Sequence, residues 1–220
     1  MYGEVEMKIG SKLAVGIAII STVLTGAAQP PASSTGAGVQ AGSAPAQGAA
    51  PRRVPPAPSL LVLSSPAFAD GTPIPEKYSD LGRNVPWVSP PLSWTGAPKE
   101  TQSFVVLMRD EEYAPGKNFA PYYHWMIFNI PGSATGLPEG VPHDTHLADG
   151  SIQPKHPRGV GYVGTGAPAN GQPHHYTFTV YALDTKLDLG DEATIADISK
   201  AMDGHILDKG FLVSRYHKAQ

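Results

Sequence analysis

Cysteine is absent from the 220 residues. Disulfides, thiolate chemistry and a lipid anchor on the usual bacterial cysteine are therefore all excluded. An excess of one charge is missing too: the net charge is −3, both signs are spread along the chain, and no basic stripe is present. A nucleic-acid partner has no support in such a pattern. Long apolar runs are scarce. One, Leu13 to Leu24, is too short to favour a permanent membrane span. No internal repeat is visible, and the Gly-x-Ser-x-Gly pattern of a nucleophile elbow is lacking.

Glycine and proline, by contrast, are plentiful at 24 and 23, which suits a turn-rich β protein joined to a low-complexity segment. Lys8 and Lys12 precede the Leu13–Leu24 run, which exits through Gly26, Ala27 and Ala28. A basic start, a short apolar centre and a small-residue exit describe a secretory signal over residues 1–28, with Met7 an alternative start. The signal implies a periplasmic or secreted protein, with an uncleaved membrane anchor as the competing reading. Residues 29–58 are almost entirely Ala, Gly, Pro, Ser and Gln, too poor in apolar surface to offset the entropy of ordering. They read as a disordered tether. Residues 59–220 form one domain.

The domain is organised around Gly164 to Asp184. From Tyr176 to Leu183, aromatic and β-branched side chains alternate with period two, as in a strand with one face on a core. The preceding glycines and prolines forbid a helix, and His174 and His175 stand where loop becomes strand. Upstream, Leu60–Leu63 begins a first strand, with Ile74–Tyr78 after it. The proline-rich passage Asn84–Trp94 allows only an edge strand or extended loop. Phe104–Met108 is a continuous apolar run and reads as a central strand, and His124–Ile130 as another, closed by Pro131-Gly132. Thr135–Gly161 is polar and turn-rich. Thr194 can cap a helix with apolar positions Ile195, Ile198, Ala201 and Met202, which Gly204 breaks or kinks; Phe211–Tyr216 is a last strand or short helix. The fold class is mainly β, a sandwich or open barrel with a small helical element near the C-terminus.

Candidates for chemistry sit at predicted strand ends: Asp110, His124, and His174 with Tyr176. Each has a plainer alternative, since Asp110 can cap a turn, His124 can be a satisfied core histidine, and His174 can be loop polarity. Tyr123 and Trp125 are either aromatic core or walls of a cavity mouth. His143 and His146 invite a metal reading, but a surface loop fits them better, and His205 reads as a packing or capping residue. No cofactor or metal is called for.

The segments SPAFADGTPIPEKYSDLGRN, VSPPLSWTGAP, RDEEYAP, HWMIFNIPG, GYVGTGAP and PHHYTFTVYALD follow one another in this order. Together they resemble the phosphatidylethanolamine-binding protein family, in its bacterial Raf-kinase-inhibitor-like (YbhB/YbcL) branch, across Leu60 to Tyr216. The resemblance implies a β-sandwich with Greek-key character and a small cavity for phosphate, acetate or phospholipid headgroups. It places ligand-binding roles on Asp110, Glu112, His124, Pro168, His174 and Tyr176. Bacterial relatives further suggest a homodimer. The chain departs from the family pattern where Glu111 replaces the proline after Asp110, Ala167 the first loop proline, and His175 the usual arginine. A cavity looser or differently charged than is typical, with no ion pair bracing the Asp110 loop, is the expected consequence, and His175 itself reads as outward and inert.

The expected function is non-catalytic binding of a small anion or phospho-group, with inhibition or modulation of a protein partner also in view. Two other classes compete: a hydrolase using a His–Asp pair, and a protease inhibitor or interaction protein acting through a loop such as Thr135–Gly161. Asp110 beside an imidazole should raise that ring's pKa. An anion would then meet N–H donors from His124 and His174, the Tyr176 hydroxyl and amides near Gly164–Gly166. On that expectation its affinity weakens as pH rises through the histidine pKa.

Overall fold

A computed structural model describes residues 60–80, 87–113, 121–167 and 171–218, all within the unit Val54–Gln220. The segments read above as signal and tether, and Pro168, lie outside the described residues. Eight strands run in chain order: β1 (Val62–Ser64), β2 (Thr72–Pro73), β3 (Leu92–Thr95), β4 (Ser103–Asp110), β5 (Tyr122–Pro131), β6 (Gly136–Leu137), β7 (His174–Leu183) and β8 (Ile206–Tyr216). A single helix, α1 (Ile195–Met202), precedes β8, and a 3₁₀ turn spans Glu76–Tyr78.

The strands form a small sheet in the order β1-β3-β6 and a larger one in the order β2-β8-β7-β4-β5. Strand β7, the alternating run of the sequence, is the middle of the larger sheet. Its even-numbered residues Tyr176, Phe178, Val180 and Ala182 share one core with Phe104, Val106 and Met108 of β4 and with Leu63, Leu92 and Trp94 of the small sheet. The opposite face carries Val105, Leu107, Met126 and Phe128, covered by Leu187, Ala193, and Ile198 and Met202 of α1. Three layers follow: small sheet, large sheet, helix. Strand β4 is enclosed on both faces, which is why it reads as an unbroken apolar run rather than an alternating one.

Two sequence expectations change. The proline-rich passage contains a strand that is neither edge nor loop, because β3 is the middle strand of its sheet. Pro90 and Pro91 precede it, so no ladder N–H is lost, and its pattern Leu92 in, Ser93 out, Trp94 in, Thr95 out is that of a half-buried strand. Ile206 to Tyr216 is one eleven-residue strand, longer than the Phe211–Tyr216 segment expected and not a helix. The predicted helix is present with a full capping box, Thr194 Oγ1 accepting from Asp197 N at 3.2 Å and Asp197 Oδ2 from Thr194 N at 2.9 Å. Gly204, at φ +80°, lies beyond its last turn and starts the return into β8.

Strand β1 crosses β8 at Gly210, where an added Cβ would stand 2.5 Å from the Leu61 carbonyl oxygen. Asp208 fixes the crossing by accepting from Leu60 N and Leu61 N, each at 3.1 Å. Gly210→Ala is expected to cost about 2 kcal/mol through overpacking against backbone that cannot rotate away. That corresponds to a fall of several degrees in thermal midpoint. A midpoint equal to wild type by scanning calorimetry would show that β1 lifts off freely.

Candidate functional site

Register brings the three predicted polar strand ends together. In the large sheet Asp110, the last residue of β4, pairs with Tyr176 of β7 on one side and Tyr122 of β5 on the other. His174 lies two residues before Tyr176 and so faces the same side. His124 reaches that side through a bulge: Met108 pairs with Trp125 and Arg109 with Tyr123, leaving His124 as the extra residue. Tyr123 turns toward the helical layer while Trp125 enters the sandwich core. The added residue lets His124 and Trp125 occupy one side in succession.

Asp110 is 1 % exposed yet well supplied with donors. Its Oδ1 accepts from Glu112 N at 3.0 Å and Tyr113 N at 2.9 Å, a turn closed by its own side chain. Its Oδ2 accepts from His174 Nδ1 at 2.8 Å. Glu111 N donates to the His175 carbonyl at 3.0 Å, and Glu112 accepts from both His175 N and His175 Nδ1 at 2.6 Å. The loop is therefore braced without the family's proline or arginine. His175 is not inert, and Glu112 serves as its partner, exposed and outside the cavity lining.

His124 is almost entirely buried, and its Nδ1 faces the Val163 carbonyl at 3.1 Å, a contact that only a protonated Nδ1 can make. Its Nε2 stands 3.8 Å from Asp110 Oδ2, beyond hydrogen-bond reach. Burial dominates its titration. The pKa falls from 6.5 to about 4, with the Val163 bond and Asp110 opposing and Arg158 adding to the fall. Asp110 does pull this imidazole's pKa upward, as expected, but desolvation outweighs a carboxylate at that separation and the net shift is downward. His124 is neutral near pH 7.

Tyr176 adds a second correction. Its hydroxyl donates to the Gly166 carbonyl and accepts from Gly166 N at 2.9 Å, so neither group is free to meet a ligand. Its pKa is pushed up, chiefly by burial and then by Asp110. Thr165 N is likewise engaged, by the Tyr78 carbonyl at 3.2 Å. The 164–166 loop lies against Ser79 and Asp80, where a Cβ on Gly164 would sit 2.6 Å from the Ser79 carbonyl carbon. The Thr165 and Gly166 amides bind the loop in place rather than line a cradle.

Asp110, His124 and His174 open into a cavity of about 560 Å³, walled also by Tyr113, Tyr122, Pro157, Arg158, Gly166 and Ala167. Tyr113, Tyr122, His124 and Tyr176 form an edge-to-face series with ring centroids 5.0–5.2 Å apart. Arg158 brings the formal positive charge. Its guanidinium stands 4.8 Å over the Trp87 ring and 3.1 Å from Asp80 Oδ2, while Trp87 Nε1 donates to Asp80 Oδ1 at 3.1 Å. Sequence reasoning passed over Arg158 and Tyr122. A cation in the Pro157-Arg158-Gly159 turn, just before the glycine loop, was the available signal. Tyr123 and Trp125, read as possible mouth residues, do not line the cavity, because the bulge shifts the parity by one.

A model of the family described as phosphatidylethanolamine-binding protein matches residues 64–217. The chain belongs to the phosphatidylethanolamine-binding protein family. A Methanothermobacter thermautotrophicus relative is 42 % identical over 157 residues, covering 71 % of this chain and 98 % of its own. A Mycobacterium tuberculosis relative, 34 % identical over 67 % of each chain, carries the name of a proposed lipoprotein, LppC. Among solved structures, a phosphatidylethanolamine-binding protein homologue from Chlamydia trachomatis is 32 % identical at a TM-score of 0.63, covering 72 % of this chain and 97 % of its own. Escherichia coli YbcL, described as a member of the mammalian family, is 27 % identical at the same TM-score, covering 72 % and 98 %. The β-sandwich and the YbcL-like branch are thereby shown for this chain.

His143 and His146 do not converge as metal ligands. The His143 ring nitrogens face the Val160 and Trp87 carbonyls at 2.8 and 2.6 Å, and His146 Nε2 pairs with Asp191 at 2.8 Å. His205 Nδ1 donates to Asp184 Oδ1 at 2.8 Å, and its backbone N–H to the Met202 carbonyl at the end of the helix. Among the described residues no group of three or more His, Asp or Glu is placed to hold a metal, and no helix is long and apolar enough to cross a membrane.

His124 sets a pH dependence of stability. Its folded-state pKa lies below the unfolded 6.5, so the unfolded chain takes up the proton first. This contribution is complete above pH 6.5 and is lost as pH falls toward about 4. Urea unfolding of His124→Gln should show a shallower loss across that window than wild type. Parallel curves would contradict the buried neutral ring.

Proposed function

We propose that this family member is a non-catalytic binder of a small anion or phosphorylated group, held in the cavity between Asp110, His124, His174 and Arg158. Arg158 carries the reading: it is a cavity-wall guanidinium oriented by Asp80 and Trp87, ready to meet phosphate or carboxylate oxygens. The volume, about 560 Å³, suits a small organic phosphate or a phospholipid headgroup. The family's name points to the same ligand class. Among the lining residues there is no serine or threonine to act as nucleophile, which favours carriage over turnover. A secreted or envelope location accords with the basic, apolar and small-residue order of the first 28 residues and with the LppC name.

Isothermal titration with inorganic phosphate and phenyl phosphate tests the reading. Both should bind, and Arg158→Gln should weaken them by about tenfold or more, ~1.5–3 kcal/mol for a charge-assisted contact. Affinity unchanged in the variant would remove Arg158 from the site. One observation favours a second reading, a hydrolase: Asp110 and His174 form a 2.8 Å dyad of the kind that activates water. Turnover of p-nitrophenyl phosphate by the wild type, lost in His174→Ala, would establish it in place of carriage.

A further inference from the structure

We propose that the cavity takes its anion in a protonated form, a monoanionic phosphate or phosphate monoester that still carries an acidic hydroxyl. Asp110 accepts a hydrogen bond from that hydroxyl, which keeps its proton, while Arg158 meets the negative charge. The inference rests on the anion-binding reading above and names the ligand state that the site selects.

Counting acceptors leads to it. An ionised carboxylate offers about four lone-pair positions. Asp110 fills two on Oδ1 with the Glu112 and Tyr113 amides and one on Oδ2 with His174 Nδ1. The position left over on Oδ2 faces His124 Nε2 at 3.8 Å, and the Tyr176 hydroxyl, which also neighbours the carboxylate, gives its proton to the Gly166 carbonyl. That nitrogen is itself a lone pair, since the ring is neutral and its proton is on Nδ1, donated to the Val163 carbonyl. Two acceptors thus confront each other across a gap lined by residues 1 % and 4 % exposed. Desolvated acceptors without donors are costly, and a fully deprotonated dianion would add a third acceptor and a repulsive charge. A ligand O–H in the gap supplies the missing donor.

The other groups at the site leave that gap unfilled. The Tyr176 hydroxyl proton goes to the Gly166 carbonyl, and Glu112 and His175 satisfy each other on the outer side of the loop. Tyr122, whose hydroxyl is buried with no hydrogen-bond partner among the described residues, forms the wall beside His124. It can donate to a ligand oxygen that has lost its proton. The arrangement therefore has a cation and a neutral donor for the ligand's charge, and a carboxylate for its hydroxyl.

Sulfate isolates the effect, being tetrahedral and similar in size but a dianion without a proton. With the purified full-length protein at about pH 5.5, below the second pKa of a phosphate monoester near 6, calorimetric titration should show methyl phosphate binding at least about tenfold tighter than sulfate. The preference should shrink as the pH is raised to about 8, where the monoester loses its last proton and, like sulfate, has no hydroxyl to offer. Histidine protonation alone would strengthen both anions at low pH and leave their ratio unchanged. Asp110→Asn, which keeps an oxygen for the backbone amides, should bring the two anions to within about twofold. The wild-type ratio and its pH course decide the matter even if that variant fails to fold. Equal binding of sulfate and methyl phosphate at pH 5.5 would overturn proton recognition and leave the anion reading standing. Binding of neither would overturn both.

Discussion

The structure depends on a carboxylate placed inside the protein at the end of a strand. Asp110 continues the inward-facing series Phe104, Val106 and Met108, so the register that builds the apolar core also drives a charge into it. Such a group is tolerated only when donors surround it. Two backbone amides and one imidazole do so here. Each donor comes from a segment whose position Asp110 in turn fixes: the loop after β4, and the loop-to-strand junction of β7. The cavity is what remains above that charge once the neighbouring strands have closed around it.

The neighbouring residues follow from the same constraint. His124 cannot balance the charge as an imidazolium, because burial costs it more than Asp110 returns at 3.8 Å. It stays neutral and becomes an acceptor. Tyr176 lies beneath the acid and spends its hydroxyl on Gly166, tying the glycine loop to the central strand. A positive charge on the cavity wall comes from Arg158, on a distant turn, where Asp80 pairs with it and Trp87 lies under it. The cavity is thus divided, with an acceptor floor on the sheet and a cation on the loops.

Substitution of the family's bracing residues has a local explanation. By the motif resemblance, Glu111 stands at the position of the family pattern's proline and His175 at that of its arginine. Asp110 closes the turn with its own carboxylate, and Glu112, one methylene longer than aspartate, reaches both the His175 backbone and its ring. A shorter ring donor is matched by a longer acid.

Much of this was legible in the residues. Period-two alternation in Tyr176–Leu183 marked the central strand, the Phe104–Met108 run marked a strand enclosed on both faces, and Thr194 marked the helix start. These are local signals, in which spacing along the chain maps directly onto a face. The ordered motifs also identified the family and the strand ends bearing Asp110, His124 and His174. What the sequence hid were effects of position in space. Trp94 lies mid-sheet because Pro90 and Pro91 stop short of the ladder. A bulge at His124 puts Tyr122, not Tyr123, on the cavity wall. Arg158 joins the site through contacts some 70 to 80 residues away in the chain. Tertiary structure alone decided whether each ring is donor or acceptor, since burial and the partner opposite a nitrogen, not the residue's identity, set where the proton resides.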